Sequence, residues 1–164
     1  MSDSGAVETA WLDDDEQRSW RALLVGMTLL LGRLDDDLRR GCDLSLVEYE
    51  ILVRLSEREE RWLRMAQLAD ALAHSRSRVT HTVTRMEKAG LVVRERSPED
   101  GRGVICRMTD AGWELLVRMA PLHVRGVRAN LVDLVSREDF AAVGRVMNAV
   151  ADHLIAAHPE MEIR

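Results

Sequence analysis

The spacing of the apolar residues changes at Gly90, and this change is the clearest pattern in the chain. Before Gly90 the apolar positions recur about every 3.6 residues, as in an amphipathic helix, and after it about every second residue, as in a strand. Residues 64–107 therefore predict two short helices joined by a turn, followed by two strands joined by a charged loop. Trp62 and Leu63 are expected to add a short third strand. This order is a winged helix-turn-helix.

The second of these helices has one apolar stripe, at positions i, i+4 and i+7. We expect the stripe to face a core shared with the helix before it. The residues concerned are Val79, Val83 and Met86 in the second helix, and Leu68, Ala69 and Leu72 in the first.

Two helices are predicted ahead of this unit. Asp13 with Glu16, and Ser45 with Glu48, have the spacing of a capping box, in which two side chains satisfy free backbone N–H groups at the start of a helix. We expect the first of these helices to begin near residue 14 and to end at Gly41.

Two more helices are predicted after the wing. Thr109 opens a long helix whose apolar pattern continues through Leu134, so Pro121 within it predicts a kink rather than an end. Ser136 with Asp139 opens the last helix. The chain then divides into a flexible N-terminus (1–12), a dimerisation helix (13–41), a winged helix-turn-helix domain (42–110), C-terminal dimerisation helices (111–158) and a tail (159–164).

The outer helices carry more apolar residues than a small monomer can bury. In the first helix Trp20, Leu23, Met27, Leu34 and Leu38 recur at helical spacing, and the last two helices have stripes of their own. Packing these stripes against the same elements of a second copy would bury them. We therefore expect a two-fold homodimer that presents two winged domains to one duplex.

Opposite its apolar stripe, the second helix of the helix-turn-helix is small, polar and basic. Short hydroxyl side chains let a helix approach a base edge, and arginines at its rim can reach phosphates or pair with guanine. We expect this face to enter the major groove, with Ser75 capping the helix beside a phosphate. An ordinary solvated helix face is the simpler interpretation. The candidate DNA contacts are Ser75, Arg76, Ser77, Arg78, Thr80, His81, Thr84, Arg85 and Lys88.

The loop between the two strands, residues 96–103, is too polar to be buried and is rich in turn formers. Arg102 lies between two glycines, on backbone that can bend sharply and approach another surface, as insertion into a minor groove requires. Arg96, at the start of the loop, is a second basic candidate for DNA contact. A solvated hairpin is the alternative interpretation.

The net charge of −5 argues at first against a nucleic-acid partner, but the charge is unevenly distributed. Residues 74–108 contain eight basic and four acidic residues, a net charge of +4, whereas residues 1–38 contain three basic and nine acidic residues. The positive segment coincides with the predicted second helix and wing. The acidic remainder would keep the rest of the body away from the phosphates.

In this order the motifs resemble the MarR family of bacterial dimeric transcription regulators, over about 20–154. The resemblance implies that Arg102 enters the minor groove and that Asp100 orients the basic groups of the wing. Two positions depart from the family: Gly101 stands where a basic residue is frequent, and His74 where an apolar residue is common. The matching motifs are Leu68-Ala69 with Leu72, Ser75-Arg-Ser77, Met86-Glu-Lys-Ala-Gly-Leu91, Asp100-Gly-Arg102, and Thr109 with Gly112.

The resemblance also implies a small aromatic or anionic effector, bound between the dimerisation helices and the winged domain. Trp20, Met27, Tyr49 and His123 would line that pocket, although aromatic and methionine side chains at helical spacing are more often plain core. No cofactor and no metal are expected, because His123 and the histidines near the C-terminus do not have the spacing of a metal site.

We therefore expect a sequence-specific transcription regulator, a repressor that binds a pseudo-palindromic operator as a homodimer and is released by its effector. The alternative is a winged-helix module that binds protein and lacks salt-dependent binding to duplex DNA. An enzyme is not expected, because the sequence has no nucleophile elbow, phosphate-binding glycine loop or zinc-protease motif.

The N-terminus lacks a secretory signal, and the longest early apolar stretch is far shorter than the roughly 20 residues that cross a bilayer. We expect a cytoplasmic, nucleoid-associated protein with no membrane partner. Cys42 and Cys106 are expected to be reduced thiols, since two isolated cysteines form neither a disulfide framework nor a metal-binding pair.

Overall fold

The computed structural model describes residues 9–97 and 103–156. Within these ranges the chain forms six α-helices, three strands and one 3₁₀ turn. The predictions for residues 1–8 and for the tail 159–164 lie outside the described residues. In chain order the elements are α1 (Asp14–Cys42), α2 (Leu46–Ser56), β1 (Trp62–Arg64), α3 (Met65–Ala71), α4 (Arg76–Lys88), β2 (Val92–Arg96), β3 (Val104–Met108), α5 (Asp110–Asn130), the 3₁₀ turn (Val132–Leu134) and α6 (Arg137–Ala156).

Both predicted capping boxes are confirmed. Asp13 Oδ1 accepts from the Glu16 backbone N–H at 2.8 Å, and Glu16 Oε2 accepts from the Asp13 N–H at 2.9 Å. At the start of α2, Ser45 Oγ accepts from the Glu48 N–H at 3.3 Å, and Glu48 Oε2 accepts from the Ser45 N–H at 2.8 Å. Side chains therefore fix where α1 and α2 begin.

The end of α1 differs from the prediction. The helix continues to Cys42, and the left-handed residue that ends it is Asp43 (φ 56°) rather than Gly41. Gly41 is needed for packing instead, because a Cβ there would lie 2.7 Å from Leu122 Cδ2 of α5. The predicted end at Gly41 is wrong because this glycine allows two helices to approach each other.

The helix-turn-helix consists of α3 and α4, and its core is the predicted one. The apolar stripe of α4 is fully or almost fully buried, and α3 supplies two buried partners and one at the edge of the core. The stripe is Val79, Val83 and Met86, and the partners are Leu68 and Ala69, with Leu72 at the edge. Gly90 follows α4 in the predicted left-handed conformation, with φ 72°.

The three strands form an antiparallel sheet in the order β1-β3-β2. Leu63 pairs with Cys106, which confirms the third strand predicted at Trp62 and Leu63. Arg96 pairs with Val104 at the outer end of β2 and β3. The chain thus has the predicted fold class, mainly helical with a small β-wing.

The start of α5 is tied to the end of α4 through Leu91 and Thr109. The Leu91 N–H donates to the Met86 carbonyl and the Leu91 carbonyl accepts from the Thr109 N–H, so β2 begins one residue after the predicted Leu91. The Thr109 hydroxyl donates to the Gly90 carbonyl at 2.7 Å and accepts from the Gly112 N–H at 3.1 Å. Gly112 is required here, since a Cβ would overlap the Leu91 carbonyl oxygen.

The long helix α5 is shorter than predicted. It passes through Pro121, as expected, but ends at Asn130, and Leu134 lies in the following 3₁₀ turn with 70% of its surface exposed. The Asn130 side-chain amide donates to the Gly126 carbonyl at 2.7 Å and satisfies an acceptor near the end of the helix. Apolar spacing alone did not reveal this end, because the apolar residues continue into the turn.

The last helix begins as predicted, with the Ser136 hydroxyl accepting from the Asp139 N–H at 3.0 Å. None of its residues is buried in the single chain, and most of α1 is also exposed. None of the described helices is long and apolar enough to cross a membrane. The exposed large apolar residues of these two helices are Trp20, Leu23, Leu24, Val25, Met27, Leu29 and Leu31 in α1, and Phe140, Val143, Val146, Val150 and Leu154 in α6.

Candidate nucleic-acid interface

The helix α4 presents its polar face to solvent. Ser75 caps it as predicted, since its hydroxyl accepts from the Arg78 N–H at 3.3 Å. Thr84 is half-buried and the other candidate contacts on α4 are exposed. The exposed candidates are Ser75, Arg76, Ser77, Arg78, Thr80, His81, Arg85 and Lys88.

The threonine hydroxyls on this face each have a defined hydrogen-bonding direction. Thr80 Oγ1 donates to the Arg76 carbonyl and Thr84 Oγ1 donates to the Thr80 carbonyl, each at 2.8 Å. Because each hydroxyl proton is used within the helix, its oxygen can only accept from an outside partner. The face therefore combines hydroxyl acceptors and methyl groups with arginine donors at its N-terminal end.

Arg85 differs from the other basic residues of α4, because it is bound to the body of the domain. Its Nε lies 2.7 Å from Glu48 Oε1, and its Nη2 donates to Ser45 Oγ at 3.3 Å. Burial of Glu48 alone would raise the pKa of its carboxyl, but the hydrogen bonds from Arg85 and Ser45 leave that pKa below its ordinary value. This ion pair holds α4 against the N-terminus of α2.

The N-terminus of α2 is also connected to α1. Asp35 Oδ1 accepts from the Leu46 N–H at 2.8 Å, and Asp35 Oδ2 accepts from Arg39 Nε. Although burial opposes it, these hydrogen bonds lower the pKa of the Asp35 carboxyl. A continuous set of polar contacts thus runs from the C-terminal end of α1, through the start of α2, to α4.

The wing is fixed to α4 by a second ion pair. Arg94 of β2 donates its Nη2 and Nε to Glu87 Oε2, at 2.7 and 3.1 Å, and its backbone N–H to Glu87 Oε1 at 3.1 Å. The hydrogen bonds from Arg94 lower the pKa of the Glu87 carboxyl. Since these three bonds join the last turn of α4 to the third residue of β2, they set the direction in which the wing leaves the helix.

Two of the predicted wing contacts fall outside the described residues: Asp100 and Arg102. Arg96 is described, and its side chain is exposed at the outer end of β2. Beyond it the Ser97 N–H donates to the Gly103 carbonyl at 2.8 Å and closes the base of the wing loop.

The four residues expected to line an effector pocket do not come together in one chain. Tyr49 of α2 and His123 of α5 stack with ring centroids 4.5 Å apart and line one cavity. Trp20 and Met27 lie exposed on α1 and do not line that cavity. The physical reason is that the apolar stripe at the start of α1 packs against no other described element of the same chain, whereas Tyr49 packs in the core.

A second cavity lies between the end of α1, the C-terminal part of α4 and α5. Arg85 and the exposed Arg118 line it together with Cys42. Burial raises the pKa of the Cys42 thiol, and it raises the pKa of the Cys106 thiol to about 12. Neither thiol is therefore activated for nucleophilic chemistry at neutral pH.

The sequence interpretation missed the two ion pairs that orient α4 and the wing. Local spacing gives Glu48 only a capping role and Arg85 only a place among the DNA contacts. The sequence signal for the Glu87 to Arg94 pair is an acidic residue at the end of a helix followed by an arginine on the next strand. Sequence spacing could not reveal the Arg85 to Glu48 pair, because 37 residues separate its members.

A sequence model described as MarR family matches residues 43–103. The HTH-type transcriptional regulator PecS of Dickeya dadantii (strain 3937) is 29% identical over 133 residues, which cover 80% of this chain and 80% of PecS.

Two crystal structures from Streptomyces coelicolor are similar over almost the whole chain. Sco3205, a MarR family transcriptional regulator in complex with DNA, is 41% identical, with 91% of this chain and 93% of that one covered and a TM-score of 0.87. AbsC, a MarR family transcriptional regulator, is 40% identical, with 90% of this chain and 99% of that one covered and a TM-score of 0.85. Each of these three relatives is a transcriptional regulator, the function class predicted for this chain.

Proposed function

The chain belongs to the MarR family of transcriptional regulators, and we propose that it binds a pseudo-palindromic DNA operator as a homodimer and represses the adjoining genes. The observation that carries the proposal is the exposed polar and basic face of α4, held in place by a buried core on one side and by the Arg85 to Glu48 ion pair at its end. The relative Sco3205, at 41% identity, forms a complex with DNA.

In this proposal α4 is the recognition helix and lies in the major groove. Arg76 and Arg78 lie in its first turn, where they reach a phosphate or the acceptor edge of a guanine. Thr80 and Thr84 offer an oxygen acceptor and a methyl group, which suit the amino group of adenine or cytosine and the methyl group of thymine. His81 lies beside them on the same exposed face.

The wing is proposed to enter the adjacent minor groove. Arg96 is exposed at the end of β2. The sequence predicts that Arg102 lies in the loop that follows. A cation in a minor groove responds to groove width and phosphate potential, so these contacts contribute affinity with little dependence on the bases. Arg85 is proposed to position α4 rather than to read bases, since two of its nitrogens already bind Glu48 and Ser45.

Dimer formation is supported by the apolar surface that one chain leaves uncovered. Trp20 is 51% exposed, Val146 is 55% exposed and Leu154 is 58% exposed, and each lies on a stripe of similar residues. A contiguous apolar surface of this kind is typical of an interface. A two-fold axis through α1 and α6 would place two recognition helices on one side of the duplex, with half-site centres about 10 bp apart.

We also propose that a small aromatic effector controls DNA binding. The support is the cavity lined by Tyr49 and His123, which lies between α2 and α5 and therefore between the winged domain and a dimerisation helix. An effector releases DNA only if it binds more tightly to a dimer whose recognition helices are wrongly spaced. The extent to which the effector weakens DNA binding is limited by the difference between its affinities for the two forms of the dimer.

The second candidate function, a winged-helix module that binds protein, is disfavoured by the positive charge of the recognition helix and wing.

To test the proposal, genomic fragments bound by the purified protein are sequenced and footprinted, and the mass of the free protein is measured by light scattering. We expect protection of two half-sites and a dimeric mass. Duplex affinity that does not depend on salt, or a folded monomer at micromolar concentration, would contradict the proposal.

A further inference from the structure

The sheet of the wing has two faces, and the ion pair of Arg94 with α4 holds one of them. Residues directly opposite each other in an antiparallel pair share a face, so Cys106 lies on the same face as its partner Arg94. Side chains alternate along a strand, which places Ile105 on the other face. Arg64 of β1 pairs with Ile105 and therefore belongs to the face opposite the ion pair.

The side chain of Arg64 reaches the base of the wing loop. Its guanidinium lies against Gly103, because a Cβ added to Gly103 would lie 2.6 Å from Arg64 Nη1 and 3.6 Å from Arg64 Cζ. The Gly103 carbonyl accepts from the Ser97 N–H at 2.8 Å, and Ser97 is buried. The guanidinium therefore packs on the hydrogen-bonded pair that closes the wing loop.

The backbone of Arg64 is held by the helix-turn-helix. Arg64 is the last residue of β1 and directly precedes α3, and its N–H donates to Gln67 Oε1 of α3 at 3.2 Å. Its side chain is half-buried, and its partner Ile105 is fully buried. Because the backbone of Arg64 is fixed between β1 and α3 while its guanidinium packs on Gly103, this side chain links the first helix of the helix-turn-helix to the wing.

We propose that Arg64 is a positioning residue for DNA binding, which holds the base of the wing loop from the face opposite the Arg94 ion pair. The inference rests on the proposed DNA-binding function and adds a residue to it. Arg96 pairs with Val104, the residue after Gly103, so fixing Gly103 also fixes the strand end that carries Arg96. A wing held from both faces is ordered before it meets DNA, which lowers the entropic cost of binding.

Hydrogen exchange of the Ser97 amide in the free protein tests the positioning without DNA. In Arg64→Ala the hydrogen bond from Ser97 to Gly103 should open more often, and the Ser97 exchange rate should rise at least about threefold. The Val83 amide within α4 should keep its wild-type rate, since the core is not altered. Arg58→Ala is the matched control, because Arg58 is exposed in the turn before β1 and its removal takes away the same charge.

Binding to operator and scrambled duplexes tests the consequence for DNA. Gly103→Ala displaces the guanidinium but keeps every charge, and alanine is not strained there because Gly103 has no positive φ. Arg64→Ala and Gly103→Ala should each weaken binding to both duplexes at least about threefold, and the double variant should bind no more weakly than the weaker single variant. Arg64→Lys should stay below the wild type, because an ammonium group lacks the planar surface that packs on Gly103.

Four results would each overturn the proposal: an unchanged Ser97 exchange rate in Arg64→Ala, an equal increase at Val83 or in Arg58→Ala, additive losses of affinity in the double variant, or full recovery of affinity in Arg64→Lys. The last result would show that Arg64 acts by its charge on a phosphate. A wild type that binds no duplex would instead contradict the proposed function, and the Ser97 exchange rates would still decide whether Arg64 holds the wing.

Discussion

Arg85 Nε lies 2.7 Å from Glu48 Oε1, so a buried carboxylate on α2 holds a largely exposed arginine on α4. Ser45 Oγ donates to the same glutamate at 2.7 Å, and Asp35 of α1 accepts from the Leu46 N–H next to it. These contacts join the helix proposed to form the dimer to the helix proposed to read DNA. The direction of α4 therefore depends on polar contacts as well as on its apolar stripe.

Removing the arginine from this pair should destabilise the domain. Arg85→Ala leaves the Glu48 carboxylate buried without its cation, at a cost of about 1–3 kcal/mol in the free energy of unfolding. Arg85→Lys keeps the charge but not the planar geometry and should cost less. Urea unfolding of both variants measures these differences.

Arg54→Ala is the control for this experiment, because its ion pair with Glu57 is exposed on both sides. Its free energy of unfolding should stay within about 0.5 kcal/mol of the wild type. If Arg85→Ala is as stable as this control, the pair with Glu48 does not hold α4.

The same pair predicts how stability depends on pH. The pKa of Glu48 is lower in the folded chain than its ordinary value, so the ionised carboxylate stabilises the fold at any pH above the ordinary pKa of a glutamate. This contribution is lost as the pH falls through the folded-state pKa. Glu48→Gln should therefore lower stability at pH 7 and reduce the loss between neutral and acid pH.

Unfolding curves of wild type and Glu48→Gln, measured from pH 7 down to acid, check this prediction. Some acid sensitivity should remain in the variant, because the pKa values of Asp35, Asp37 and Glu87 are also lowered. Parallel stability curves for the two proteins over the whole range would contradict it.

Gly112 should not tolerate alanine, although it lies in a helix. Helix propensity alone would favour alanine over glycine by about 1 kcal/mol. The added Cβ would overlap the Leu91 carbonyl oxygen, which already accepts from the Thr109 N–H, so backbone must move. We expect Gly112→Ala to lose about 3 kcal/mol or more in the free energy of unfolding. Thermal unfolding shows whether Gly112→Ala stabilises the protein, as helix propensity alone would predict, or destabilises it, as the steric overlap predicts.

Residues whose partners are near in sequence were predicted well. The capping boxes, the stripe of α4 and the left-handed Gly90 follow from spacings of a few residues, since capping and helical periodicity are local effects. The glycine at position 41 shows the limit of such reasoning. A glycine is needed at this position because the side chain of Leu122 in α5 approaches it closely, and no local sequence pattern reveals that approach.

For the candidate site too, local features could be predicted from the sequence and contacts between distant residues could not. The spacing within α4 identified an exposed polar face, but not that Arg85 on that face is bound to Glu48. The family resemblance predicts one pocket lined by Trp20 and Tyr49, and in the single chain these residues lie apart. Spacing within one helix gives the direction of a side chain, whereas the pairing of distant elements depends on the whole packing arrangement.

The Glu87 to Arg94 ion pair should orient the wing for DNA binding. Arg94 and Arg96 lie two residues apart and therefore on the same face of β2, so fixing the first also directs the second. Glu87→Gln and Arg96→Ala should then be coupled in operator affinity, by about 0.5–3 kcal/mol in a double-mutant cycle. The variant Arg94→Lys should recover part of the affinity lost in Arg94→Ala.

Glu95→Gln provides the control for the wing, because Glu95 pairs with Arg107 on the other face of β2. Its effect on operator affinity should add to that of Arg96→Ala within about 0.5 kcal/mol. If the effects of Glu87→Gln and Arg96→Ala on operator affinity are also additive, the Glu87 to Arg94 ion pair does not position Arg96.

The central claim is that α4 reads the bases while the wing adds affinity with little sequence preference. It is tested most directly by binding isotherms on operator and scrambled duplexes over a range of salt concentrations. Thr80→Ala and His81→Ala should each weaken operator binding by about 1–3 kcal/mol for a good base contact, and leave the scrambled duplex nearly unchanged. Arg102→Ala should weaken binding to both duplexes and flatten the salt dependence.

These variants should all remain folded, because Thr80 and His81 lie opposite the buried stripe of α4, and the sequence around Arg102 is too polar to belong to the core. Circular dichroism confirms this before the isotherms are compared. The account predicts selective loss of the operator in the helix variants and a uniform loss in Arg102→Ala. Equal loss of both duplexes in the helix variants, or unchanged isotherms and salt dependence in Arg102→Ala, would contradict it.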